Sequence, residues 1–153
     1  MASPPAIVRR LAPLAYMPAE LSMRVLATLA DKTLPVQVFN TLLALSELAD
    51  PHGAPVPLRE LQRYASTVMG YAIAARKIKS SIKVLIEQYG IAIGSARGAR
   101  HGYFFVTTDD EARAAAAPLL AEIRSLAKRC HTLSPTNPYV QHLMGQMEVH
   151  LGS

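Results

Sequence analysis

The chain has 153 residues, half of them apolar, with 16 Lys and Arg against 11 Asp and Glu and a formal net charge of +5. That length suits one domain with a sizeable core and a helix or two outside it, and no apolar run approaches a membrane span because Pro13, Pro18 and Arg24 interrupt the early ones. Arg9 and Arg10 lead into no continuous hydrophobic stretch with a cleavage site, so no secretory signal is expected, and the single Cys130 cannot close an intramolecular disulfide, which fits a reducing cytoplasm.

Residues 1–17 contain Ser3-Pro4-Pro5 and Pro13 and read as a flexible N-terminal segment. Pro18 is well placed as the first residue of a helix running to about residue 31, with Glu20 in its first turn and Leu21, Val25, Leu26 and Leu29 on one side. A second helix is expected over residues 35–50, where Val38, Phe39, Leu42, Leu43, Leu45 and Leu48 are apolar and Asp50-Pro51-His52-Gly53 ends the run. Ala54-Pro55-Val56-Pro57 can only be a short edge strand, since its prolines cannot donate to a ladder on both sides. Residues 58–65 form a third helix with Leu58, Leu61, Tyr64 and Ala65 inward, and Ser66-Thr67-Val68-Met69-Gly70-Tyr71 is a long turn after it.

The next stretch, residues 72–108, carries the pattern around which the chain is arranged. At about 100° per residue, Ile78, Ile82, Leu85 and Tyr89 make one apolar stripe of a helix, while Arg76, Ser80, Lys83 and Glu87 lie opposite with Lys77 and Lys79 on the flanks. No Ser or Asp cap precedes Ala72, Ile73, Ala74 and Ala75, so either Ser66 or Thr67 caps a longer helix or the helix frays at its start. Tyr89-Gly90 supplies a left-handed stop. Ile91 and Ile93 alternate with Ala92 and Gly94 in a short strand, and residues 103–107 are rich enough in aromatic and β-branched types to be its antiparallel partner. Between them Arg97, Arg100 and His101 sit in a loop bracketed by Gly98 and Gly102.

The order helix, short strand, helix, turn, helix, strand, loop, strand resembles the winged helix-turn-helix domains of bacterial and phage regulators, over about residues 35–108. The run RKIKSSIKVLIEQYGIAIGS, followed by GYFFVTT, resembles their recognition-helix and wing segments. The resemblance implies a mainly α fold with a small antiparallel β wing, carrying extra helices at both ends. It implies three regions: the N-terminal segment 1–17, a DNA-binding domain over 18–108 including an added N-terminal helix, and C-terminal helices over 109–153 for dimerisation.

In that last region Thr108-Asp109-Asp110-Glu111 is a capping box. The helix it opens should run to about residue 131 or 132, some 36 Å. Ala112, Ala116, Leu119, Ile123, Leu126, Cys130 and Leu133 follow a 4-3-4-3-4-3 spacing, the heptad stripe of a helix packed lengthwise on another. Pro118 removes a backbone donor within it, so a kink or break is expected near residues 114–118. Ser134-Pro135-Thr136-Asn137-Pro138 restarts the chain, with Asn137 as cap and Pro138 at the first helical position. The final helix then puts Val140, Leu143, Met144, Met147 and Leu151 on one face. Dimerisation is assigned to Leu119, Ile123, Leu126, Leu133, Leu143 and Met147.

Catalytic chemistry finds no constellation: there is no GxxxxGK[ST], GxSxG, HExxH or CxxC run. Cys130 beside His131 falls on the heptad stripe and reads as a core thiol, His142 and His150 are too far apart on one helix to share a metal, and His52 and His101 lie in loops. No enzymatic activity, cofactor or metal is therefore expected.

The charge has a location as well as a size. Residues 59–100 hold eight basic side chains and two acidic ones, a surplus of six, which leaves the rest of the chain at a net −1. The bland reading is a solvated face that happens to be basic; a phosphate-facing surface needs the same concentration of charge. The resemblance implies that Arg76, Lys77, Lys79, Ser80 and Lys83 meet the major groove, with Lys83 partly neutralised by Glu87, and that Arg97, Arg100 and His101 on the wing meet the minor groove or its phosphates; Arg59 and Arg63 complete the basic surface. The expected function is sequence-specific binding of double-stranded DNA as a homodimer, in transcription regulation or in control of a mobile element's replication or excision. Such a protein would be cytoplasmic and nucleoid-associated. The alternative is a winged helix used as a protein-interaction module through its terminal helices. RNA binding would call for exposed stacking aromatics, whereas those here fall mostly at predicted core positions.

Overall fold

The computed structural model describes residues 17–49 and 54–150. Among them are six helices and one two-stranded antiparallel sheet, so the fold is mainly α with a small β element. The chain divides into two compact units, Met1–Asp109 and Asp110–Ser153.

In the first unit, α1 (Ala19–Ala30) follows Pro18, which stands just outside the helix with ψ at 139° instead of occupying its first position. Its inward face is Val25, Thr28 and Leu29; Leu26, expected on that face, is 40% exposed. Met17, expected in the flexible N-terminal segment, is buried in the core. The linker to α2 (Val36–Leu48) is tied by Asp31, whose carboxylate accepts from both the hydroxyl and the N–H of Thr33. Those two bonds hold the Asp31 carboxyl below its ordinary value. Residues 1–16, Asp50-Pro51-His52-Gly53 and Leu151 lie outside the described residues.

α2 is the hub against which α1, α3 (Leu58–Met69) and α4 (Ala75–Glu87) pack. Val38, Leu42, Ala44 and Leu45 fill its inner faces, while Leu48 at its end is outside. The four buried hydroxyl residues of these helices are all satisfied: Thr28, Thr41, Ser46 and Ser81 each donate to the carbonyl four residues earlier, at 2.7–2.8 Å.

α3 continues four residues past the expected end at Ala65 and stops at Gly70, which adopts φ 77° and donates its N–H to Ser66 O at 2.9 Å. The turn is therefore Gly70 to Ala74, and α4 starts at Ala75, three residues later than expected. Neither Ser66 nor Thr67 caps α4. Ser66 Oγ instead accepts the N–H of Ile73 at 2.9 Å, and Gln62 Nε2 donates to the carbonyl of the same residue at 2.7 Å. With the Ile73 side chain 4% exposed, both backbone groups and the side chain of one turn residue are anchored to α3 and the core.

At its other end α4 closes as expected. Gly90 takes φ 65°, and Ile91 donates back to Leu85 O at 3.1 Å. β1 (Ile93–Ala96) begins two residues later than expected and pairs with β2 (Gly102–Phe105), Ile93 opposite Phe105 and Ala96 opposite Gly102. The segment before α3 joins them: Val56 forms an antiparallel bridge with Tyr103, N–H to O at 2.7 Å and O from N–H at 2.9 Å. Gly102 makes this approach feasible. A Cβ there would lie 2.4 Å from the Val56 carbonyl oxygen, and its φ of 149° suits glycine.

The second unit holds α5 (Asp109–Leu133) and α6 (Pro138–His150). α5 starts directly after Thr108, where a capping box puts its cap, and of the expected kink or break at Pro118 there is no break, the helix running on through it. Ser134 donates to Cys130 O, Asn137 Oδ1 caps Tyr139 N–H at 2.9 Å, and Pro138 is the first helical residue, all as the turn sequence implies. Among the described residues of this unit only Ala127 is a buried apolar side chain. Leu119, Ile123, Leu126 and Leu133 are exposed, and so is Cys130, which is therefore not the core thiol that its heptad position suggested. Of the heptad stripe, Ala116 is half-buried and the positions from Leu119 onward are exposed. Of the α6 face, Leu143 is exposed and Met144 and Met147 are half-buried.

Candidate nucleic-acid interface

α4 owes its position to one face and its chemistry to the other. Ile78, Ile82 and Leu85 are 1%, 4% and 0% exposed, which fixes the rotation of the helix. Arg76, Lys77, Lys79, Ser80 and Lys83 are then all exposed. Among the described residues none of these cations is in a salt bridge; the expected Lys83–Glu87 pair is not formed. The first turn of α4 has no acidic residue and no side-chain cap, so the positive end of its dipole adds to the field of Arg76 and Lys77.

Arg24 Nη1 donates to the Gly90 carbonyl at 2.8 Å and so pins the far end of α4 to α1. This clamp spans 66 positions in sequence and has no local signature. The near end is set by Gln62, Ser66 and Gly70, through the bonds to Ile73 and the left-handed stop. Of these, Ser66 and Gly70 alone are residue types that signal a turn anchor. Asn40, buried on α2, donates to the Met69 thioether and fixes the end of α3 at the same corner.

The remaining basic residues separate into two places. Arg59, at the start of α3, lines a groove of about 490 Å³ with Ala54, Pro55, Pro57, Ala99, Arg100 and His101. Residues far apart in sequence thus bring three groups able to meet a phosphate to one concavity. Arg63, one turn further on, opens instead onto a groove of about 770 Å³ lined by Glu47, Leu48, Glu60, Tyr64, Thr67 and Val68. Two carboxylates share that surface, and Tyr64 donates its hydroxyl to Glu47. Arg63 accordingly does not join the basic concavity. Arg97 is exposed on the β1–β2 loop, where Gly98 takes φ 93°. Tyr103, half-buried on β2 against the core, has its phenol pushed up by burial.

No family model, curated protein or solved structure matches the chain. Among the described residues no three His, Cys, Asp or Glu side chains converge as metal ligands, and no helix is long and apolar enough to cross a membrane. Tyr71 and Tyr139, at 55% and 87% exposure, depart from the expectation that the aromatics are core residues; they lie on different units.

Proposed function

We propose that residues 35–108 form a winged helix-turn-helix domain that binds double-stranded DNA sequence-specifically. α4 enters the major groove and the β1–β2 wing lies on the adjacent minor groove or backbone. The observation that carries this reading is the unpaired basic face of Arg76, Lys77, Lys79 and Lys83 on a helix whose opposite face is locked in the core. A face that merely solvated the protein would have no reason to exclude carboxylates from the whole first turn while the flanking loop adds two more arginines. Arg59, Arg100 and His101 suit a phosphate at the entrance of α3. The protein acts as a homodimer in transcription regulation or in control of a mobile element's replication or excision, and works without enzymatic chemistry, cofactor or metal.

The test is selection from a random duplex library at moderate salt. Enrichment of a motif, with half-sites related by two-fold symmetry, is the expected result. Recovery of no motif would overturn the reading in favour of a protein-interaction module, for which the exposed apolar stripe of α5 would be the working surface.

A further inference from the structure

The stripe on α5 is exposed from Leu119, at 61%, to Leu133, at 84%, with Ala116 half-buried ahead of it. The two flanks of the stripe differ. On one, Leu120 is half-buried and Ala127 is 2% exposed, so this flank is covered within the chain. On the other, Glu122 and Arg129 are exposed and, among the described residues, in no salt bridge. A second helix therefore has to approach over the stripe and the Glu122–Arg129 flank.

In heptad terms Ala116, Ile123 and Cys130 are a positions, Ala112, Leu119, Leu126 and Leu133 are d positions, and Glu122 and Arg129 are g positions. Two orientations of a second copy are open. A parallel pair sets each g residue against an e residue of its mate, which puts Glu122 against Ala127 and Arg129 against Ser134, with no charge met. It also sets Asp109, an a position at the start of the helix, against its own copy in the seam. An antiparallel pair sets a against d and g against g. Ile123 then meets Leu126, Leu119 meets Cys130 and Ala116 meets Leu133, each twice about one two-fold axis. In that same register Glu122 of each copy faces Arg129 of the other. Pro118, at a c position, stays off the seam.

We infer that α5 is the self-association site and that it pairs with a second copy of this chain in the antiparallel sense, centred on Ile123 and Leu126 and closed by two reciprocal Glu122–Arg129 contacts. One register satisfies both the apolar layers and the charges, and opposed helix dipoles favour it further. The closed two-fold arrangement leaves no end free to recruit a third copy. This rests on the homodimer part of the proposed function and is independent of DNA binding.

The native cysteine reports the orientation. In a parallel pair Cys130 faces its own copy, whereas in the antiparallel register the two are offset by about 16 Å along the axis, too far for a disulfide, whose Cα atoms lie at most about 7 Å apart. The experiment uses the full chain: light scattering at micromolar concentration, then mild oxidation and non-reducing electrophoresis. The native protein should be a dimer that forms no interchain disulfide. Leu119→Cys, at a position exposed in the single chain, should be captured as a covalent dimer through residue 130 of its mate. Glu122→Arg should raise the dimer dissociation constant on the order of tenfold at low salt, and adding Arg129→Glu should restore it. A monomer would remove the homodimer itself. A native dimer that cross-links through Cys130, or a Leu119→Cys dimer that does not cross-link, would leave the homodimer standing and overturn the antiparallel register, as would failure of the double charge reversal to rescue.

Discussion

Ile82 keeps 4% of its surface exposed, and Lys83 beside it is open to solvent. The pair is thus a direct probe of how α4 is rotated. Ile82→Ala removes buried methylenes and leaves a cavity in the core, and should lower unfolding free energy by about 2 to 4 kcal/mol. Lys83→Ala should change it by no more than about 0.5 kcal/mol, as an exposed side chain without a partner does. Urea denaturation followed by far-UV circular dichroism measures both. The reverse ranking would turn the basic face of α4 inward and dismantle the interface with it.

At the scale of elements, helix and wing should differ in how their cations respond to salt. Deleting one cation that sits on a phosphate lowers the magnitude of the log-affinity against log-salt slope by about 0.9, since one fewer counterion is released. Arg97→Ala and Arg100→Ala should therefore weaken binding to every duplex with a shallower slope. Arg76→Ala should cost about 1 to 3 kcal/mol on the selected site and less on random DNA, because a side chain that reads a base adds affinity only where that base is present. Salt titration of the three variants on both duplexes separates the roles; changes below about twofold throughout would return the basic face to mere solvation. The elements themselves were largely legible in the residues. The 3.6-residue period of Ile78, Ile82 and Leu85, the Gly90 stop and the proline-flanked Val56 each depend on local chemistry, and each appears where that chemistry puts it. Features that depend on distant residues were not legible. The α3–α4 turn is set by Gln62 and Ser66 reaching Ile73, and α4 is pinned by Arg24, bonds made only once the helices are packed. Grouping Arg59 with Arg100 while turning Arg63 elsewhere likewise follows from the Val56–Tyr103 bridge, which draws the start of α3 to the wing.

For the whole molecule, the proposed self-association would confer avidity. A dimer holding two half-sites gains an effective concentration that raises affinity over a single domain by about 10²- to 10⁴-fold. Ile123 is 45% exposed in the single chain, so Ile123→Asp should leave the melting of the first unit in place while placing a carboxylate at the centre of the seam. Binding to a selected two-half-site duplex should then fall by about 10²-fold or more, and binding to a single half-site should stay within about twofold. Fluorescence anisotropy on the two duplexes makes the comparison. Equal losses on both would overturn the two-half-site account.

The bridge at Val56 also bears on how this protein keeps to itself when crowded. A two-stranded sheet offers two open borders, each a template on which a stray strand can grow. Along β2 the border is occupied by Val56, which spends both its N–H and its carbonyl on Tyr103. Backbone groups alternate sides along an extended chain, so the groups facing away belong to residues 55 and 57, and both are prolines with no N–H to present. A strand arriving there meets no donor, and the Pro57 carbonyl is already taken by the N–H groups of Glu60 and Leu61. The prolines that lead the chain into α3 therefore also sterilise the border against further growth.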